Sequence, residues 1–192
     1  MADLFNTLPV AGLHCRADFI SEAEHAALVA QLEATDLRPF RFHGWTGNRK
    51  TTTFGWRYDF DDASFAPADP IPDWLHPLRV KAAAFAKVAP DDFAHVLLAR
   101  YDPGAGIGWH RDRPQFDKVV GISLGSPAVM RFRQRTDDRF RRVSVHLEPR
   151  SAYLLSGEVR THWEHSIVPG TTLRFSITFR TLSERGLKLA AG

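Results

Sequence analysis

The sequence predicts a mainly β fold, a sandwich or barrel, supported by α-helices in its N-terminal half. Three observations carry this. Short β-rich runs recur between turn residues from His95 onward, helix signals fall in the first half, and 192 residues at 44% hydrophobic and 24% charged suit one globular domain. No apolar run approaches the roughly 20 residues of a spanning helix. The opening Met1-Ala2-Asp3-Leu4 has no basic, apolar leader pattern. Cys15 is the only cysteine, which excludes an internal disulfide and any multi-cysteine metal site. The expectation is a cytoplasmic protein with no membrane partner.

Taken in order, Ser21-Glu22-Ala23-Glu24 is a capping-box pattern that starts a helix over about 21–34. Residues 38–60 mix aromatics, polar groups and glycines and read as hairpins and loops. A Pro-rich linker over 67–72 leads to a second helix at about 73–88, with Pro77 tolerated only in its first turn. Strands are expected over 95–101, 118–124, 128–134, 141–147, 151–156, 162–167 and 172–181. No internal repeat or low-complexity tract interrupts this order.

Charge is distributed unevenly. Residues 1–99 carry a net −4, residues 100–150 a net +5 and residues 151–192 a net +2. Of 25 basic residues, 20 are arginine, the side chain suited to bidentate contact with carboxylate and phosphate. The central segment could therefore face an anionic partner such as nucleic acid, or form a solvated sheet face. Arg131, Arg133 and Arg135 alternate on one strand, with Arg139, Arg141 and Arg142 after them. The same two readings stay open for them.

His110-Arg111-Asp112 places a His and an Asp on one face of a strand, where both can ligate one metal. A second His would complete the 2-His-1-carboxylate set of a non-haem Fe(II) centre. The pair alone is weak, because nine histidines and 15 aspartates yield about 0.7 such pairs by chance. His146-x-Glu148 and His162-x-Glu164 offer similar ligands, and zinc is open to the same residue types. Further on, Arg174, Ser176, Thr178 and Arg180 share one strand face, and Leu173, Phe175, Ile177 and Phe179 the other. In a ligand-holding barrel the polar face can line the cavity. An interior arginine there needs an anion, and a dicarboxylate would provide it.

In order, His110-x-Asp112, His165 and Arg174-x-Ser176 resemble the pattern of Fe(II)/2-oxoglutarate dioxygenases, and more closely the AlkB family. Tyr101-x-x-Gly104, Gly121-Ile122-Ser123-Leu124-Gly125, Trp163-Glu164-His165 and the six-residue spacing of Arg174 and Arg180 support the resemblance, which covers about residues 95–182. It implies a double-stranded β-helix (jelly-roll) core over 95–182, within a single domain of residues 1–192. Residues 1–94 would then hold the helices and a substrate-facing lid at about 40–60. It implies Fe(II) on His110, Asp112 and His165, preferred over His162. Tyr101, Arg174, Ser176 and Arg180 would bind 2-oxoglutarate, with Arg180 toward the metal end because its Cα lies about 20 Å from that of Arg174. With O₂ as co-reactant, the implied activity is oxidative N-demethylation of alkylated DNA or RNA, releasing formaldehyde, succinate and CO₂.

Trp45, Arg49, Lys50, Trp56, Tyr58, Arg113 and Arg160 are the candidate substrate-binding residues. Aromatics there can stack on extruded bases while arginine and lysine hold phosphates. Trp45, Trp56 and Tyr58 could equally close the core. The sequence departs from the family at Ala99, where many members carry asparagine. It departs again at Arg113-Pro114-Gln115, where base-repairing members often carry an acidic residue. These departures keep two alternatives in view: hydroxylation or demethylation of a protein or small molecule, and a non-catalytic anion-binding jelly roll. The oligomeric state is open, with a monomer as the working expectation.

Overall fold

The computed structural model describes residues 10–42, 45–58 and 64–191. The chain starts with β1 (Leu13–Arg16) and α1 (Glu22–Ala34). The capping box forms as expected, with Glu24 N donating to Ser21 Oγ and Ser21 N to Glu24 Oε2. β2 (Arg38–Phe42) and β3 (Trp45–Phe54) pair as an antiparallel hairpin, and β4 (Trp56–Tyr58) pairs with β5 (Phe65–Pro67). α2 (His76–Ala86) takes Pro77 in its first turn and ends at Lys87 in the left-handed region. Then come β6 (Phe93–Tyr101), β7 (Ile107–His110), β8 (Phe116–Gly125), β9 (Ala128–Thr136), β10 (Arg139–Leu147) and β11 (Ala152–Leu155). α3 (Gly157–His162), β12 (Glu164–Ile167), β13 (Arg174–Leu182) and α4 (Glu184–Ala190) complete the order.

The strands form a seven-stranded sheet, β1-β11-β8-β13-β6-β3-β2, and a four-stranded sheet, β10-β9-β12-β7. Among the described residues the strand pairings in both are antiparallel, the jelly-roll arrangement. The outer face of the large sheet carries Val96, Leu98, Val120, Ile122, Leu124, Phe175, Ile177 and Phe179. They pack under Leu28 and Leu32 of α1 and Leu78, Ala82 and Ala83 of α2. Each fully buried large side chain contributes about 1.5–3 kcal/mol. A second cluster lies between the sheets, where Val119 and Leu155 meet Met130, Phe132, Trp163 and Ile167.

Two expectations change. Helices are not confined to the first half, because α3 and α4 lie in the second. α3 spans the Gly157–His162 stretch read as a turn before a strand: six residues with Val159 and Arg160 buried on one side, too short for a helical period to show. The hairpin expected within 38–60 forms as β2–β3, but β1, which was not expected, also joins the large sheet, at its other edge. Among the described residues no helix is long and apolar enough to cross a membrane.

Candidate active site

Between the sheets lies a cavity of about 760 Å³, within the usual range for small-molecule sites. Its floor is the polar face of β13. Arg174, Ser176, Thr178 and Arg180 line it, while Phe175, Ile177 and Phe179 pack outward against the helices. The apolar layer of this strand is thus satisfied by α1 and α2, which leaves its polar side chains for the interior.

At one end, strand register brings two histidines together. His165 on β12 pairs directly with His110 on β7, and their ring centroids are 4.3 Å apart. Asp112 follows two residues beyond His110, with Oδ2 3.7 Å from His165 Nε2. Arg180 grips the other carboxylate oxygen, Nη2 at 2.8 Å and Nε at 3.0 Å. Burial resists ionisation of Asp112, but Arg180 and then the two histidines hold its carboxyl well below the usual carboxylate range. Burial pushes His165 down to about 3 and lowers His110. Both imidazoles are neutral at pH 7, the form that binds a metal.

The donor set fits a divalent iron. His110 Nδ1 lies 2.9 Å from Gly108 O; with Nδ1–H donating there, Nε2 keeps its lone pair for a metal. As the side chains stand, no three His, Cys, Asp or Glu groups among the described residues close into a coordination set. Cis ligand atoms about 2.1 Å from one ion lie about 3 Å apart, so Asp112 and His165 need to approach by only about 0.7 Å.

At the other end, Arg174 is 4% exposed, and its Nε and Nη1 have no hydrogen-bond partner. Its guanidinium carbon sits 4.8 Å from the centre of the Tyr101 ring. Burial resists ionisation of Tyr101, yet Arg174 and Arg49, with a hydrogen bond from Ser176, bring its phenol below the ordinary value. An unpaired buried guanidinium is costly, and a carboxylate arriving in the cavity would satisfy it. Tyr101, Arg174 and Ser176 are thus brought together at this end of the cavity.

Arg180 lies toward the metal end and lines the cavity, with Nε and Nη2 on Asp112, so it also braces a candidate metal ligand. Arg160 corrects an expectation. Instead of facing a substrate it is buried, donating from Nη2 to the carbonyls of Arg113 at 2.5 Å and Phe116 at 2.6 Å. It clamps the segment after Asp112. Lys50 also points away from the cavity and pairs with Asp102 at 3.3 Å. Two-residue alternation on β3 selects Arg49, Thr51 and Thr53 for the wall instead. Trp56 stacks on Phe65 at 4.9 Å, outside the cavity wall. The Trp45 side chain lies outside the described residues, as do His43 and Gly44.

Arg49, Tyr58 and Arg113 do line the mouth. Arg49 sits 4.1 Å over the Phe40 ring and Arg113 4.5 Å over Tyr58. His162, on α3, and His146 with Glu148, on or beside β10, are exposed. The arginine stripe of β9 lies on the outer face of the small sheet. There Arg133 pairs with Glu164 at 2.7 Å, Arg131 bonds Ser166, and both lie over Trp109.

Sequence reading missed Phe40, Asn48, Thr51, Thr53, Arg57, Arg111 and Tyr153 as cavity-lining residues. For Thr51 and Thr53 the signal was present, in alternation with Arg49. For Tyr153 it was absent, because Ala152–Leu155 is buried throughout and shows no polar face.

The family model of the 2OG-Fe(II) oxygenase superfamily matches residues 12–180. The chain is 30% identical over 154 residues to the alpha-ketoglutarate-dependent dioxygenase AlkB of Salmonella typhimurium, covering 68% of each chain. It is 27% identical over 199 residues to the tRNA (carboxymethyluridine(34)-5-O)-methyltransferase ALKBH8 of Mus musculus. That match covers 92% of this chain but spans only 29% of the mouse protein's length. The solved structure of OsALKBH1 superposes with a TM-score of 0.70 at 16% identity, over 88% of this chain and 96% of that one.

Proposed function

This chain belongs to the 2OG-Fe(II) oxygenase superfamily as an AlkB-like dioxygenase using Fe(II), 2-oxoglutarate and O₂, and from that premise we propose that it removes N-alkyl groups from a nucleic-acid strand. The observation that carries the site assignment is the pair of unpartnered nitrogens on buried Arg174, across the cavity from His110, Asp112 and His165. His110, Asp112 and His165 hold the iron. When bound, iron and 2-oxoglutarate together supply the oxidation of a substrate C–H bond by O₂, with succinate and CO₂ as co-products.

The chain's own residues do the positioning. Arg174 takes the distal carboxylate of 2-oxoglutarate, with Tyr101 and Ser176 beside it. Arg180 keeps Asp112 ionised and aimed. His110 is oriented through Gly108 O. The walls of Leu97, Val119, Met130 and Ile167 exclude water around the reacting carbon.

The mouth favours a polyanion. Arg49, Arg57, Arg111 and Arg113 surround it with Phe40 and Tyr58. Aromatic faces for a base beside guanidinium groups for phosphates are what a single-stranded nucleic acid needs. Relatives named for acting on nucleic acids support the same class: the mouse match is to a tRNA methyltransferase, and the match in Danio rerio is to a probable RNA/DNA demethylase.

The test is succinate formation from 2-oxoglutarate with Fe(II), with and without a single-stranded oligonucleotide carrying N-methylated adenine and cytosine. Stimulation by the methylated strand over an unmethylated control, with release of formaldehyde, is the expected result. Basal turnover unchanged by the oligonucleotide would move the substrate to a protein or small molecule. No iron-dependent succinate at all would overturn the enzyme reading.

A further inference from the structure

We infer that the outer face of the small sheet is a second nucleic-acid contact, which grips the phosphates of nucleotides flanking the one in the cavity. The inference rests on the reading above that the substrate is a nucleic-acid strand.

From Ala128 to Leu147 the β9–β10 hairpin carries six arginines, two aspartates and no lysine. Arg131, Arg133 and Arg135 share the outer face of β9, because Met130 and Phe132 between them are buried. Register sets Arg142 directly opposite Arg133, and Phe140 opposite Arg135. Like charges directly opposite each other destabilise a sheet. Glu164, on the next strand, answers only Arg133. Among the described residues the Arg135 side chain has no hydrogen bond or ion pair, and Arg142 donates only to Phe140 O, at 3.5 Å. Asp137 and Asp138, in the exposed turn, pair with neither.

Blunting a sheet edge does not account for this face. Charge on an edge strand discourages pairing with another sheet, which covers β10. β9, however, lies between β10 and β12. The guanidinium groups are also held in place by rings. Arg131 and Arg133 sit 5.0 and 4.5 Å over Trp109, and Arg133 and Arg142 sit 4.7 and 5.3 Å over Phe140. A stacked guanidinium gives one face to the ring and keeps in-plane N–H donors for a phosphate. A layer of fixed, mutually repelling cations is relieved by an anion that spans it.

The layer is continuous with the mouth. Trp109 immediately precedes His110, and Arg111 of the mouth follows. Three strand spacings, about 14 Å, separate β7 from β10. That is about four nucleotides at a rise of 3.4 Å. A strand whose target base enters the cavity therefore meets Arg142 and Arg135 only when it extends several nucleotides beyond that base.

The test compares two N-methylated substrates, a trinucleotide and a single strand of about fifteen nucleotides, by binding at varied salt and by succinate formation. Arg135→Ala combined with Arg142→Ala is expected to weaken the long strand on the order of ten-fold near 0.1 M salt and to lower its salt dependence by about two counter-ions. Turnover of the trinucleotide, basal succinate formation and Tm should stay as in wild type. Unchanged affinity and salt dependence for the long strand would overturn the inference while leaving the demethylase reading intact. Equal losses for both substrates would also overturn it, since they mark the net charge of the protein rather than a contact along the strand. So would a poly-glutamate peptide of equal charge that binds as tightly as the long strand and depends equally on Arg135 and Arg142. A wild type that binds neither nucleic acid and turns over neither would instead strike the reading on which the inference rests, and the inference with it.

Discussion

Two arginines face the same cavity from opposite ends of β13 and live in different chemistry. Arg180 has its anion inside the fold: both Nε and Nη2 reach Asp112, and the pair is almost fully buried, with side chains 11% and 7% exposed. Arg174 is at least as buried and has two nitrogens with no partner. The difference separates scaffold from site. A buried cation that brings its own counter-ion holds the structure in place, whereas one without a counter-ion is completed by a ligand.

The largest expected effect comes from breaking the internal pair. Asp112→Ala should reduce iron-dependent succinate formation to background. It should also lower the unfolding free energy by about 3–5 kcal/mol, because Arg180 is left buried and unpaired. Normal turnover in this variant would remove Asp112 from the metal assignment.

Arg174→Leu and Arg180→Leu sharpen the comparison directly. Arg180→Leu should destabilise the metal-free protein by about 3–5 kcal/mol in urea unfolding. Arg174→Leu should leave that stability unchanged or raise it, while weakening 2-oxoglutarate on the order of a hundred-fold. Equal destabilisation by the two substitutions would show that Arg174 has a partner within the fold.

The two ends should also differ in acid. At the metal end, His165, His110 and His95 are held neutral, burial being the main cause, and Asp112 is held ionised. All four folded-state values lie below the unfolded ones. For the histidines the associated stability is fully present above about pH 6.5 and is lost as pH falls toward the folded value. For His165, at about 3 in the folded protein, the loss between pH 6.5 and pH 5 is about 2 kcal/mol. The metal-free protein should therefore show a falling urea midpoint below pH 6.5. A flat midpoint from pH 7 to pH 5 would mean that these imidazoles are solvated.

The smallest effect is expected at the mouth. Lys50 pairs with Asp102 on the surface, with side chains 42% and 33% exposed, so Lys50→Ala should change stability by less than about 1 kcal/mol. It should also leave oligonucleotide binding nearly unchanged. Arg49→Ala should weaken that binding and reduce its salt dependence by about one counter-ion. The reverse ranking would place the strand on the other side of β3.

Much of this was legible because it depends on local order. The capping box at Ser21, Pro77 in a first helical turn and the alternation of Arg174, Ser176, Thr178 and Arg180 each follow from neighbours two to four residues apart. The metal set was legible through resemblance, since His110-x-Asp112 and His165 are 53 residues apart and only strand register joins them. Arg160 was misassigned, and the pairing of Arg180 with Asp112 was not foreseen, for one shared reason. An arginine's role is set by the acceptor it meets, and Arg113 O, Phe116 O and Asp112 come from distant parts of the chain. α3 was missed because six residues are too few to show a helical period.

By itself, the sequence determined the class of fold, the strand face that is polar, and the residue types available for iron and a dicarboxylate. Those properties follow from side-chain chemistry and the two-residue period of a strand. Only the tertiary structure decided which arginine is already paired, that Lys50 turns outward while Arg49 turns in, and that Tyr153 lines the cavity. These depend on which backbone lies opposite which, and hydrogen-bond partners and burial are properties of that arrangement rather than of any residue alone.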